Sequence, residues 1–398
     1  YQGLFGRGRK FRSKCIYHKL LPELLSELDP DRPYIPTTPV SSSEDPNDPN
    51  SGTIHNWDVW SRHKPVWQYA NSAGPIPRFV TEFGFQAPPV IETINSFCPP
   101  AHRRVASRLL EKHNYQIGGN GRVYLYLGDL FGAAGCLDHF IYLTQLTQAR
   151  AIRTYVEFLR AHRSINNGAL FWQFNDCCPA ISWSAIDYLK RPKALYYYAK
   201  RFFANLLITV VPEIDGAKVG CAPQLKSLNA VIVNDTAESL TVQMSCRLID
   251  LAGKLLDQVQ LPVSVVPFSA SHPVKVPQSI TSYPHPEKSV LHLLIEKDGT
   301  VLAENLFSLL PDKYIDWPVA DITTEFSKLS PTEARLKLTS ANLAKDVRIE
   351  IEGCAKLSDN FVDLIPGSQR ELTVTLDNAL DQLTPEIRLT SVGSALGV

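Results

Sequence analysis

No stretch of this sequence stays apolar for long. Runs such as "LITVV" at 207–211 fall far short of the roughly 20 residues that cross a bilayer, so no segment reads as a membrane-spanning helix. Net charge is also missing. With 40 Lys plus Arg against 40 Asp plus Glu and a pI near 7.2, there is no basic field to gather nucleic acid or an anionic membrane surface. A neutral small molecule or a polysaccharide suits such a surface better. The eight cysteines lack metal-ligand spacing, and no His, Asp and Glu cluster supplies it, so no metal is expected. The adjacent Cys177 and Cys178 are expected as two core thiols, because a vicinal disulfide is strained. No glycine-rich loop of the phosphate-cradling kind is present. The opening "YQGLFGRGRKF" has no initiator Met, no apolar h-region and no small-residue cleavage site, which reads as a chain that begins inside a larger gene product. The triplet "NDT" at Asn234 would matter only in a secretory pathway, and the compartment stays open.

What is present is organised in two styles. The length, 398 residues, suggests two or three domains with sizeable cores. In "IYHKLLPELLSEL" (16–28), Leu20, Leu21, Leu24, Leu25 and Leu28 recur at helical spacing, with Glu23 and Glu27 on the other face, until "DPDRP" stops the helix. The run "SSSEDPNDPNSG" after it is too polar and irregular for regular structure, and such loops in compact domains are often functional or disordered. "GTIHNWDVW", "RFVTEFGFQ" and "ALFWQFND" read as strands. Residues 143–163 form an amphipathic helix with Leu146, Ala149, Ile152, Val156 and Leu159 on its inner stripe, and "KALYYYAKRFF" a further helix. Buried strands alternating with amphipathic helices over about 200 residues point to a parallel α/β sheet or barrel. Beyond Asn205, segments such as "LTVQMSCRLID" and "DVRIEIEG" alternate apolar and polar residues between turn signals such as "KDGT". That pattern predicts antiparallel sandwiches, with a boundary between two of them near "PDKYIDWP". The expected division is 1–205, 206–312 and 313–398.

Within "RFVTEFGFQ" the carboxylate of Glu82 is out of place. A strand buried on both faces would charge several kcal/mol for an unpaired carboxylate. Pairing with Arg78 would be the structural explanation. The functional one is that Glu82 lies near the end of its strand, where barrels place catalytic groups, with Gly84 next to it to allow a turn or a close approach. "HNWDVW" brings His55, Trp57 and Trp60 to the same rim, and "FWQFND" brings Trp172, Asn175 and Asp176. Indole faces beside carboxylates and amides line sugar sites, because the C–H face of a pyranose stacks on the ring while its hydroxyls need hydrogen bonds.

These stretches, "TEFGFQ" after "RF", "HNWDVW", "GALFWQFNDCCPAISWSAIDY" and "LSDNFVDLIPG", together resemble the β-mannosidases of glycoside hydrolase family 2, in the family's order and over nearly the whole chain. "LLPELLSELDPDRPY" is similar to the helix leading into that family's fifth barrel strand. The resemblance implies the C-terminal half of a (β/α)₈ TIM barrel followed by two immunoglobulin-like β-sandwich domains. It also implies retaining hydrolysis of terminal, non-reducing β-D-mannose through a covalent glycosyl-enzyme intermediate on Glu82, the glutamate of the "EFG" motif. His55, Trp57 and Trp172 are then the substrate-binding candidates around it, and no cofactor is implied. The family's acid/base belongs to an "NE" pair that this sequence lacks upstream of Glu82, so it is expected before Tyr1, and an N-terminal chain or segment completing the barrel is the expected partner. Two positions depart from the family pattern: Thr53 stands where an aspartate usually precedes the histidine, and Cys178 replaces the tryptophan of "NDxWP". A related family 2 specificity, either endo-β-mannosidase or exo-glucosaminidase, is one alternative. A non-catalytic carbohydrate-binding or assembly module is another.

Overall fold

A computed structural model describes residues 13–70, 73–215, 218–221, 224–378 and 385–397, and the opening "YQGLFGRGRKF" lies outside them. Its first layer is a short parallel sheet with helical crossovers. The strand Ile54–His55 pairs in parallel with Val80–Glu82, with Ile54 opposite Val80 and His55 opposite Glu82. Val80 in turn bridges in parallel to Ala169. The connection from the first segment to the second runs through the helix Asp58–Arg62. That from the second to the third runs through Ile91–Phe97, Arg108–Lys112, Gly119–Leu130 and Leu137–Ala161, as parallel pairing requires of its connections. "ALFWQFND" does not become a regular strand. It contributes only that bridge and a second one between Asn175 and Ile186. Its main chain still runs alongside the neighbouring segment, with the Leu170 N–H donating to Val80 O and the Trp172 N–H to Phe83 O.

The expected stripe on the long helix is buried: Leu146, Ala149, Ile152, Val156 and Leu159 have no exposed surface. The burial goes further around than one stripe, taking in Thr144, Gln145, Thr147 and Gln148, because the helix Ala194–Phe202 and both later layers also pack on it. By contrast, the segment read as an amphipathic helix over 16–28 forms as a π-type turn, Ile16–Leu20, followed by the α-helix Leu21–Leu28, and buries none of its residues. Leu28 is 70% exposed.

The second layer is a two-sheet sandwich. One sheet orders Thr300–Phe307, Ser289–Lys297, Leu240–Asp250 and Leu255–Val265, and the other Leu206–Asp215, Gln224–Asn234 and Ser269–Ala270. The period-two alternation sets its register: Met244 faces Ile295, Cys246 faces Leu293 and Leu248 faces Leu291, and all six side chains are buried. At "KDGT" Asp298 and Gly299 both take positive φ, the two-residue hairpin that Asp-Gly favours. The third layer repeats the plan with Ile322–Lys328, Glu333–Ser340, Gln369–Leu376 and Cys354–Leu357 in one sheet and Val362–Leu364, Ala344–Ile351 and Ile387–Thr390 across from it. Leu336 opposite Leu372 and Ala334 opposite Val374 begin its core.

The long helix ties the layers together by charge. The Arg150 guanidinium, midway along it, reaches Asp312 after the first sandwich and Asp346 in the second. Arg160 pairs with Asp235 at 2.9 Å, and Arg348 with Asp138 at 2.5 Å. Tyr142 Oη donates to the Asp346 carbonyl at 2.7 Å.

Candidate active site

Glu82 closes its strand, and the chain beyond it goes straight into the core. Phe83 and Phe85 are buried, Phe83 edge-on to Tyr155 at 4.9 Å between ring centroids and Phe85 against Tyr126 at 4.7 Å. Val80, two residues before Glu82, is buried as well. Anchored on both sides in this way, the main chain holds the Glu82 carboxyl at the surface with a fixed origin.

Its two oxygens have separate partners. The Trp57 indole N–H donates to Oε1 at 3.0 Å, and His55 Nδ1 lies 3.5 Å from Oε2. The carboxyl remains 26% exposed and the imidazole 23%, so an incoming ligand can reach both. Arg78, the alternative partner, points elsewhere: its Nε donates to the Asn50 carbonyl at 2.9 Å. The Trp57 N–H on one oxygen and the imidazole beside the other fix the orientation of the carboxyl.

His55 is itself set by the polar run before it. Thr38 Oγ1 lies 3.1 Å from His55 Nε2. The Asn47 side chain accepts from the His55 N–H at 2.7 Å and donates to its carbonyl at 2.9 Å. The loop that carries Asn47 is ordered by side-chain to main-chain turns, in which Asp45 accepts from the Asn47 N–H and Asp48 from the Asn50 N–H, each at 2.9 Å. A loop with no periodic signal thus positions a site residue. Its richness in Asp, Asn and Ser was the only hint. Thr53 turns away from the rim: it is buried and its hydroxyl accepts from the Val40 N–H.

Gly84 explains how the rim closes. A Cβ there would lie 2.2 Å from the Trp172 carbonyl oxygen, 3.0 Å from the Trp183 ring and 3.2 Å from the Trp57 ring. Glycine is required by space. We expect Gly84→Ala to push the Trp172 backbone away and to lower thermal stability by about 1–3 kcal/mol, the usual cost of overpacking. A melting temperature within a degree of the parent would show that the rim can yield.

Trp172 is therefore next to the Glu82 strand through its backbone, and the residue is 47% exposed; the Trp172–Gln173 peptide is cis. The structure brings Glu82, His55 and Trp57 into direct contact and sets Trp172 beside them without a contact to the carboxyl. Trp60 does not join them. It is fully buried, donates to Gln116 Oε1 at 2.9 Å and stacks on Tyr126, since the helix Asp58–Arg62 turns it inward. Asp176 is an anchor: its Oδ2 accepts from Ser182 at 2.7 Å and Ser184 at 2.6 Å.

Three further residues here were not singled out from the sequence. Trp183 packs edge-on to Trp57 at 6.1 Å, with its indole nitrogen buried and unbonded. Gln173 donates to Asp176 at 3.3 Å. Lys193 is completely buried and donates to the carbonyls of Ala87 at 3.1 Å and Ser182 at 3.3 Å, clamping the segment after Glu82 to the one that carries Trp183. Burial pushes its ammonium down to about 8, against the opposing pull of Asp176 and Asp187. The cysteine pair corrects an expectation. Both thiols are free, but Cys177 is exposed and Cys178 half-buried, because the neighbouring Asp176 takes the inward position.

Comparison with known proteins bears on the chain as a whole. Residues 226–314 match a mannosidase Ig/CBM-like domain and 317–395 an Ig-fold domain. Beta-mannosidase B of Aspergillus clavatus is 29% identical over 373 residues, covering 92% of this chain and 44% of that protein. Beta-mannosidase B of Emericella nidulans is 28% identical over 375 residues, with the same coverage. The chain thus spans less than half the length of the curated relatives it matches. Among solved structures, the β-D-mannosidase of Dictyoglomus thermophilum superposes with a TM-score of 0.84 over 97% of this chain and 45% of that one, at 28% identity. An Amycolatopsis orientalis exo-chitosanase shares the fold with a TM-score of 0.65, at 15% identity, over 87% of this chain and 45% of that one. By sequence and by fold, the chain is similar to the C-terminal portion of the β-mannosidases of glycoside hydrolase family 2.

Proposed function

We propose that the chain carries the nucleophile of a retaining exo-β-mannosidase. In this reading residues 1–205 are the C-terminal half of a (β/α)₈ barrel and 206–312 and 313–398 are immunoglobulin-like sandwiches. The observation that carries it is the Glu82 carboxylate. It stands at the C-terminal end of a parallel strand, has one oxygen on the Trp57 indole N–H and the other near His55, and stays open to solvent. Attack by one Glu82 oxygen on the anomeric carbon of a β-mannoside forms the glycosyl ester and expels the aglycone, and water then cleaves the ester with net retention. The second carboxyl of this chemistry sits about 5–5.5 Å from the first in retaining enzymes. The sequence before Glu82 holds no "NE" pair, so in this reading the acid/base belongs to the segment that completes the barrel. The exposed stripe of Leu20, Leu24 and Leu28 supports such a segment, since apolar helix faces of this kind pack against a further layer. The exposed Trp172 ring offers the sugar a stacking face.

The test is intact-mass analysis before and after a 2-deoxy-2-fluoro-β-mannosyl reagent with a very good leaving group. Such a group departs with little acid assistance, so trapping needs only the nucleophile. One adduct mapping to the peptide of Glu82 is expected. Folded protein that binds mannose yet takes no label would overturn the nucleophile and favour a carbohydrate-binding module.

A further inference from the structure

A fully buried lysine is costly and seldom kept unless its ammonium is put to use. Lys193 is 1% exposed, and its Nζ donates to the carbonyls of Ala87 at 3.1 Å and Ser182 at 3.3 Å. Neither carbonyl needs it. Ala87 O already accepts from the Ser182 N–H at 3.2 Å, and Ser182 O from the Ala87 N–H at 2.9 Å. The ammonium therefore tightens a bridge whose main-chain groups are already satisfied. Its own backbone is anchored at the start of the helix Ala194–Phe202, where the Lys193 N–H donates to the Ala185 carbonyl at 2.9 Å. The bridge joins two parts of the rim, since Ala87 follows Glu82 along the chain and Ser182 precedes Trp183. The Trp183 carbonyl accepts from the Gln173 N–H at 3.2 Å, which also holds the residue after Trp172. The Trp183 indole nitrogen has no hydrogen bond, so the ring takes its place from its backbone and from packing. It lies against Gly84 and edge-on to Trp57 at 6.1 Å between centroids, and the Trp57 N–H reaches Glu82 Oε1 at 3.0 Å.

We propose that Lys193 is a positioning residue of the Glu82 site, holding Trp183 against Trp57 and thereby keeping the Trp57 N–H on the Glu82 carboxyl. It acts from behind the rim, through Ser182 and Trp183. Its effect on chemistry rests on the reading of Glu82 as the nucleophile; its effect on the placement of the two indoles does not.

The experiment reads both on Lys193→Met, which keeps the length of the stem and removes the donors. Heteronuclear NMR of the indole N–H groups, with Trp57 and Trp183 assigned through Trp57→Phe and Trp183→Phe, should show both signals moved and that of Trp317, outside the rim, in place. Labelling of Glu82 by the 2-deoxy-2-fluoro-β-mannosyl reagent should slow at least roughly tenfold at saturating reagent, since a misplacement of about 1 Å can cost about 10²-fold. The double variant Lys193→Met with Trp183→Leu should label at the rate of Trp183→Leu alone, because residues acting in series are not additive. A lower melting temperature with both indole signals unmoved would make Lys193 merely structural and overturn the proposal, as would a double variant slowed by the product of the two single effects. If Lys193→Met does not fold, Lys193→Gln, with a shorter stem, is read in the same way. Moved signals in the variant with no label on the parent protein would uphold the positioning and overturn the nucleophile instead.

Discussion

Glu82→Gln is expected to lower turnover of an aryl β-mannoside by at least roughly 10³-fold, the scale on which loss of a nucleophilic group is felt, with little change in stability. The amide keeps the shape of the side chain and an oxygen for the Trp57 N–H, and the position is a quarter exposed, so the fold loses no buried partner. What disappears is the charge that, in the proposed mechanism, attacks carbon. Measurement of kcat and melting temperature on the same preparation separates the two effects. Glu82→Ala sharpens the test. It opens room beside Trp57 and His55 for a small anion, and with a good leaving group azide should restore turnover. Because azide enters from the face Glu82 occupied, the product is the inverted α-mannosyl azide. A β-azide would instead make Glu82 an acid/base, and activity within tenfold of the parent would remove it from the chemistry.

The odd residue was readable in the sequence because a carboxylate in a run of aromatic and β-branched residues has few innocent explanations. Its surroundings were legible unevenly. His55 and Trp57 sit on or just beyond the strand that pairs with the Glu82 strand, so a parallel layout brings them together. Trp60 lies only three residues further on, but a helix begins at Asp58 and rotates it into the core. Asn47, Trp183 and Lys193 reach the rim from loops whose paths depend on long-range pairing, and local periodicity carries no record of that. The sandwiches were more legible, since alternation fixes a strand's faces without reference to its neighbours. "ALFWQFND" had the composition of a strand, but the segment pairs at single residues only.

Arg150→Met is expected to cost about 3–5 kcal/mol of stability at neutral pH, the penalty for leaving a buried charge without its partner. Arg150 spans two carboxyls from different layers, Asp312 and Asp346, both nearly inaccessible. Burial raises the Asp312 carboxyl above its ordinary value even with Arg150 beside it, and its Oδ1 has no hydrogen-bond partner. Burial pushes Asp346 up as well, but Lys345 and Arg150 more than reverse it and hold it well below the ordinary carboxylate range. Stability from Asp346 is therefore present above the unfolded carboxylate value of about 3.9 and lost as pH falls below it. Asp312 works in the opposite sense, contributing below that value and losing its contribution as pH rises. Removing the guanidinium raises both folded-state values together. The deficit of the variant should then be largest near pH 7 and shrink as the pH falls towards the carboxylate range, where the two groups take up protons. Denaturant unfolding of parent and variant at several pH values reads this directly. Adding Asp312→Asn and Asp346→Asn to Arg150→Met should recover part of the loss, because the amides carry no charge to strand. A deficit under about 1 kcal/mol at pH 7, or one that grows on acidification, would show that the layers are held by apolar packing on the long helix and not by this charge.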